Sequence, residues 1–292
     1  MRKTWIYLTG FFVFVIAVGW VMSYTLNSPA LLIVAVVLSI AMSFGSYWFS
    51  DKLVLAMSHA KPIQKSDAPE LYRIVENLSI TAGLPMPKLY IIEDAQPNAF
   101  ATGRDGKHAV VAVTAGLLQR LERVELEGVL AHELSHIGNK DMLVSTIVVV
   151  LVGVVAILTD FFMRASFYGG FRGHNDDRRS AQLGIILLVV GILFAILAPI
   201  IAQLIKMAVS RKREFLADAS GALLTRYPDG LARALEKISA DPHQLRSASD
   251  ATAHLYIASP FRGKEKTSWL HKLFMTHPPV EERIAALQEM KV

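Results

Sequence analysis

The sequence predicts an α+β fold: a mainly helical domain with a small β-sheet, attached to transmembrane α-helices. Three observations predict it. Of 292 residues, 53% are hydrophobic and only 19% charged, and the mean hydropathy is +0.39; a water-soluble globular chain runs about 45–50% apolar and about 25% charged. The apolar residues are concentrated, with no Asp, Glu, Lys or Arg from Thr4 to Ser50, from Met142 to Thr159 or from Ser180 to Ile205. Outside these runs, short β-branched stretches bounded by turn residues alternate with segments of helical periodicity.

The first uncharged run is broken only by Asn27-Ser28-Pro29, which is turn chemistry. It reads as a hairpin of two spans, about Trp5–Leu26 and Ala30–Phe49, each near the 20 residues a bilayer requires. Its length and the immediate second span argue against a cleaved signal peptide. The runs after Met142 and Ser180 also meet the length criterion, although Arg164, Arg172, Arg178 and Arg179 between them are an unusual load for a loop outside the cell. Arg2 and Lys3 before the hairpin and Lys52, Lys61 and Lys65 after it place both of its ends in the cytoplasm under the positive-inside rule. The expected organisation is a transmembrane hairpin over 1–50, the first part of a water-facing domain over 51–141, two hydrophobic segments over 142–209, and the second part of the same domain over 210–292.

Within that domain, Ser66-Asp67-Ala68-Pro69-Glu70 opens a helix, with Ser or Asp as cap and the proline just inside. Leu71, Ile74, Val75, Leu78 and Ile80 supply its apolar face, and Gly83 and Pro85 stop it. Strands are expected at Lys88–Glu93, Asn98–Gly103 and His108–Thr114, arranged as a small meander with a turn at Asp105-Gly106. Helices follow at Ala115–Leu121, Val124–Ile137, Arg211–Leu224, Gly230–Ser239 and Val280–Gln288. Asp241–Lys266 is polar and mixed, and reads as a connecting stretch open to proteolysis.

Thirty Lys and Arg against 25 Asp and Glu give a net charge of +5. Without an aromatic-interleaved basic stripe or a glycine-rich phosphate loop, this reads as topological bias rather than a nucleic-acid surface, so no nucleic-acid partner is expected. The absence of cysteine excludes disulfides, a thiolate zinc site and a cysteine nucleophile.

The helix over Val124–Ile137 contains His132-Glu133-Leu134-Ser135-His136. With nine histidines in 292 residues, this spacing is uncommon by chance. Residues four apart share one helix face, so both imidazoles can reach one Zn2+ while Glu133 reaches the edge of the same site as a general base. Catalytic zinc keeps three protein ligands, and Glu214, in Arg211-Lys212-Arg213-Glu214-Phe215-Leu216-Ala217-Asp218, is the strongest candidate for the third. Asp218, one turn on, is placed to accept a hydrogen bond from a ligating imidazole. Simple pairing of Glu214 and Asp218 with Arg211 or Arg213 is the competing reading.

These residues, together with Ile137-Gly138-Asn139-Lys140-Asp141, the two later apolar runs, Asn98-Ala99-Phe100-Ala101-Thr102-Gly103 and Thr276-His277-Pro278-Pro279, resemble the HtpX-type membrane zinc metalloproteases, relatives of the CAAX prenyl proteases. The resemblance covers nearly the whole chain. It implies a zincin-like domain and one Zn2+ per chain, held by His132, His136 and Glu214, with Glu133 activating water and Asp218 supporting a ligand. It further implies that His277 lies near the oxyanion and Asn98 beside the substrate cleft, in a multi-pass endopeptidase of the bacterial or archaeal inner membrane. The active site would face the cytoplasm and the substrates would be polypeptides, chiefly misfolded or damaged membrane proteins. Read from the residues alone, His277 can equally open a helix or be a fourth ligand, Asn98 can cap a turn, and Arg283 is either a solvated charge or a partner for a buried carboxylate. His108, Val110 and Val111 belong to the strand expected to offer substrate an exposed edge. A CAAX-type processing protease and a non-catalytic zinc-binding membrane scaffold are the alternatives.

Overall fold

The computed structural model describes residues 29–142, 146, 211–246, 252–260 and 278–290, with scattered helical positions before 29. The chain divides into two compact units, Met1–Trp48 with Val150–Leu204 and Phe49–Val149 with Ile205–Val292. The spans expected at 142–159 and 180–205 lie outside the described residues apart from Met142 and Thr146.

In the first unit the described positions are helical. Helix α1 runs Pro29–Met57, its proline at the first helical position where a missing N–H costs nothing. Val13, Trp20, Tyr24, Ile33, Val37 and Ile40 are all exposed. Counted over the described residues alone, no helix is long and apolar enough to cross a membrane.

The second unit carries the domain. After the two-residue strand β1 (Lys61–Pro62), helix α2 spans Pro69–Ala82 and strands β2, β3 and β4 span Lys88–Ile92, Ala99–Thr102 and Val110–Thr114. Helices α3 (Ala115–Arg120), α4 (Arg123–Gly138), α5 (Arg211–Thr225), α6 (Pro228–Ala240) and α7 (Val280–Gln288) complete it. Proline opens α2, and Gly83 closes it in the left-handed region at φ 65°. The cap is Ala68, which makes no side-chain bond; Asp67 instead accepts from the Gln64 backbone N–H at 2.7 Å. At the start of α4 the Glu125 carboxylate accepts from the Glu122 backbone N–H at 2.8 Å, which satisfies an otherwise orphan donor.

The sheet order is β1-β2-β4-β3, and this corrects the expected meander. β2 and β4 pair parallel, Lys88 opposite Val110, while β3 pairs antiparallel with β4, Ala99 opposite Val113. The intervening chain carries β3 to the outside, so β4 is central and β3 is the edge. Every residue of β4 is buried. One apolar core joins Leu71, Ile74 and Val75 of α2, Val111 and Val113 of β4, Val129, Leu130 and Leu134 of α4, and Leu231 and Leu235 of α6.

Candidate metal centre

Helix α4 presents His132, Glu133 and His136 from its last two turns. Opposite it, α5 carries Glu214, Asp218 and Gly221, spaced so that all three lie on one stripe, and all three are buried. Gly221 lets the helices meet closely: a β-carbon there would stand 2.9 Å from the His132 backbone nitrogen and 3.1 Å from its Cα. The absent side chain thus sets the separation across which Glu214 faces the two histidines.

The ligand atoms converge. His132 Nε2 lies 3.1 Å from His136 Nε2 and 3.8 Å from Glu214 Oε2, and His136 Nε2 lies 3.5 Å from Glu214 Oε1. Behind them, His132 Nδ1 stands 2.8 Å from Asp218 Oδ1, and His136 Nδ1 faces Asp141 Oδ2 at 3.6 Å. With each Nδ1 turned toward a carboxylate, both Nε2 atoms are left to face the same spot as ligands. Two ring nitrogens and a carboxylate oxygen converging on one spot are held by a shared cation, a metal ion or, without one, the proton on His136. A tetrahedral ion with bonds of about 2.0–2.1 Å separates its ligands by about 3.3 Å, and the observed 3.1–3.8 Å brackets that value. The residues fit a zinc-like divalent ion.

Electrostatics without the ion follow the same logic. Burial raises the Glu133 carboxyl to about 7; nearby Glu214 adds to this, while His136, Arg283 and a backbone hydrogen bond at Ala101 oppose it. Burial lowers the His132 imidazole despite Asp218. For His136, burial also disfavours the proton, but the Asp141 hydrogen bond and the Glu214 and Glu133 charges outweigh it and lift the group to about 9. Asp218 is disfavoured as an anion by burial, yet the Arg283 guanidinium and the His132 bond hold it below its ordinary value.

The structure thus brings His132, Glu133, His136, Glu214 and Asp218 together. His277 lies outside the described residues. Asn98 is fully buried just before β3, where its amide donates to Ala258 O at 3.1 Å and its Oδ1 accepts from the Ala99 N–H at 3.1 Å. The exposed edge expected over His108–Val113 is overturned. Val110 and Val111 sit in β4 between two paired neighbours, which leaves no free backbone to bind a chain, and His108 sits at the turn before it, bound to Asp105 at 2.7 Å. The edge belongs to β3.

Asp141 carries no site role in the sequence reading, and Arg213 enters it only as a competing partner for Glu214 and Asp218. Asp141 is placed by the end of α4. Lys140 adopts φ 58°, its N–H bonds Ile137 O at 3.2 Å, and the Asp141 N–H bonds His136 O at 3.1 Å, a Schellman closure that turns Asp141 back beneath His136. Arg213 Nη1 then holds Asp141 Oδ1 at 3.0 Å. Asp141 falls five residues after His136, just past the helix end, and that spacing was the available signal. Asp241–Lys266 also differs from expectation: Leu245, Ala253, Tyr256 and Ile257 in it are buried.

A buried carboxylate beside a two-histidine, one-glutamate cation site is the machinery of a metalloprotease. Residues 65–291 match the model of peptidase family M48. The chain is 49% identical over 262 residues to a protease HtpX homolog of Syntrophobacter fumaroxidans, covering 89% of each chain. It is 44% identical to one of Thermoanaerobacter pseudethanolicus, covering 99% of this chain and 95% of that one, and 45% identical to one of Listeria monocytogenes, covering 99% and 97%. The crystal structure of Ste24p from S. mikatae shares the fold, at TM-score 0.50 and 18% identity over 98% of this chain and 67% of that one. The chain belongs to peptidase family M48, with HtpX-type proteases as its relatives, and is a metalloprotease.

Proposed function

We propose that this metalloprotease is a membrane-anchored zinc endopeptidase that cuts misfolded or damaged membrane proteins at the cytoplasmic face of a bacterial or archaeal inner membrane. The observation that carries the reading is the convergence of His132, His136 and Glu214 beside buried Glu133, next to the edge strand β3. His132, His136 and Glu214 hold the metal, which when bound polarises a carbonyl and acidifies water. Glu133 takes the proton on its carboxylate and returns it to the leaving amine nitrogen. Its raised value in the metal-free site, about 7, suits a group that must both accept and give a proton near neutral pH. His277 donates toward the developing oxyanion.

Substrate lies extended along β3. The Ala99 carbonyl points away from β4, since it accepts from Ile257 N–H at 3.0 Å; by alternation Ala101 and Gly103 face the same way. Backbone pairing there binds a chain with little side-chain choice, as disposal of damaged proteins requires. Membrane attachment is supported by the uncharged runs and by the exposed stripe of Ile33, Val37 and Ile40 on α1, which is costly in water and suited to lipid.

The test is cleavage of casein by purified, detergent-solubilised enzyme with zinc, beside Glu133→Gln at equal metal content. We expect cleavage by the wild type and a loss of at least about a hundredfold in the variant, the scale of a removed general base. Equal cleavage by both overturns the reading, and failure of either to cleave with zinc bound moves the weight to a narrow processing enzyme or a scaffold. Release of the protein from membranes by alkaline carbonate would refute the anchor.

A further inference from the structure

Arg283, in the first turn of α7, is only 2% exposed. Its Nε donates to Asp218 Oδ2 at 2.8 Å and its Nη2 to Asp218 Oδ1 at 2.7 Å, a two-pronged pair, while its Nη1 donates to the Ile257 carbonyl at 2.9 Å. Asp218 Oδ1 is also the atom 2.8 Å from His132 Nδ1. Ile257 in turn donates its N–H to Ala99 O at 3.0 Å, closing one end of the β3 edge. One guanidinium therefore reaches both the carboxylate behind a metal ligand and the segment that bounds the β3 edge. The corresponding pair on the far side, Arg213 with Asp141, is monodentate at 3.0 Å and partly exposed.

We propose that Arg283 is a positioning residue that fixes Asp218, and through it the His132 ring, while pinning the Thr252–Pro260 segment against β3. The fork geometry argues for it: a planar guanidinium holding both carboxylate oxygens fixes the carboxylate plane, which a lysine cannot do. Its buried charge is balanced by Asp218 and by Glu214, whose Oε2 lies 3.8 Å from Nη1. The proposal rests on the metal reading of His132, His136 and Glu214.

The experiment measures Zn2+ affinity of the metal-stripped, full-length protein in detergent by competition with a chromogenic chelator. It is paired with the visible spectrum of the Co2+ form and with hydrogen exchange of the peptide spanning 252–260. Arg283→Lys keeps the cation and loses the fork; Asp218→Asn with Arg283→Gln replaces the ion pair by a neutral hydrogen-bonded one and guards against a folding failure of the first. Each folded variant should bind Zn2+ about 10–100-fold more weakly, the effect of losing support behind a ligand, with a shifted Co2+ spectrum. Arg283→Lys should also exchange faster over 252–260, whereas His136→Ala should weaken metal binding without that change. Zinc affinity within twofold of wild type in either folded variant overturns the proposal, as does unchanged exchange over 252–260 in Arg283→Lys. Wild-type protein that binds no zinc overturns the metal reading itself, and the proposal with it.

Discussion

Replacing Gly221 by alanine tests whether the approach of α5 to α4 sets the metal site. The new β-carbon would lie 2.9 Å from His132 N, 3.1 Å from His132 Cα and 3.2 Å from Ala131 C, whereas carbon contacts are comfortable at about 3.5–4.0 Å. All three atoms are backbone, so no side chain can swing aside; the helices must separate by roughly 0.5 Å. Overpacking of this kind costs about 1–3 kcal/mol, and the better helix propensity of alanine returns about 0.8–1 kcal/mol. The net is a destabilisation of up to about 2 kcal/mol, or up to roughly 8 °C in Tm for a domain of this size. The larger effect falls on the metal. Glu214 shares the stripe with Gly221, and ligand distances tolerate only about ±0.2 Å, so zinc affinity should fall at least about tenfold, the scale of disturbing a ligand's support. Differential scanning fluorimetry and chelator competition measure the two quantities. A higher Tm with unchanged zinc affinity, the outcome expected if only helix propensity mattered, would refute the reasoning.

The remaining predictions concern protons and the end of α4. The folded, metal-free His136 holds its proton up to about pH 9, against an ordinary 6.5. The stability this contributes is complete below about pH 6.5 and is lost as the pH rises through about 9. The Tm of the metal-free protein should therefore fall over that window. Zinc must displace the same proton, so its affinity should rise by up to about tenfold per pH unit there. Calorimetric titrations in buffers of different ionisation enthalpy should find about one proton released per zinc at neutral pH, and none released would contradict the site electrostatics. Lys140 occupies the left-handed region at φ 58°, where a β-carbon costs about 1–2 kcal/mol. Lys140→Gly should raise Tm by about 2–4 °C per kcal/mol recovered with His136 still supported, and a lowered Tm would show that the lysine side chain matters instead.

Much of this was legible in the sequence because the relevant signals are local. The helix bounds of α4 and α5 follow from periodicity, and the His132, Glu133 and His136 spacing follows from the helix itself. Glu214 and Asp218 could be picked out because they lie one turn apart. What failed was non-local. Nothing in Lys88–Ile92 or Val110–Thr114 tells that they pair with each other in parallel and push Ala99–Thr102 to the edge, so the wrong strand was given the free backbone. Tyr256 and Ile257 sit amid polar sequence, and they are held by Phe100 and Arg283, which lie 156 and 26 residues from Tyr256 and Ile257 respectively by chain position. The role of Asp141 depends on a helix-end closure, which sequence reads less surely than a helix interior.

The edge of β3 has a consequence for the protein's own solubility. An open strand edge is a template on which any extended chain can stack, including another copy of the same protein, and growth of a fibrillar stack draws on segments of about six residues or more. β3 has four residues, and Ile257 already occupies the outward carbonyl of Ala99. What stays open is a docking stretch too brief to seed a growing sheet, so a surface adapted to catch unravelled chains is protected from becoming the nucleus of an aggregate.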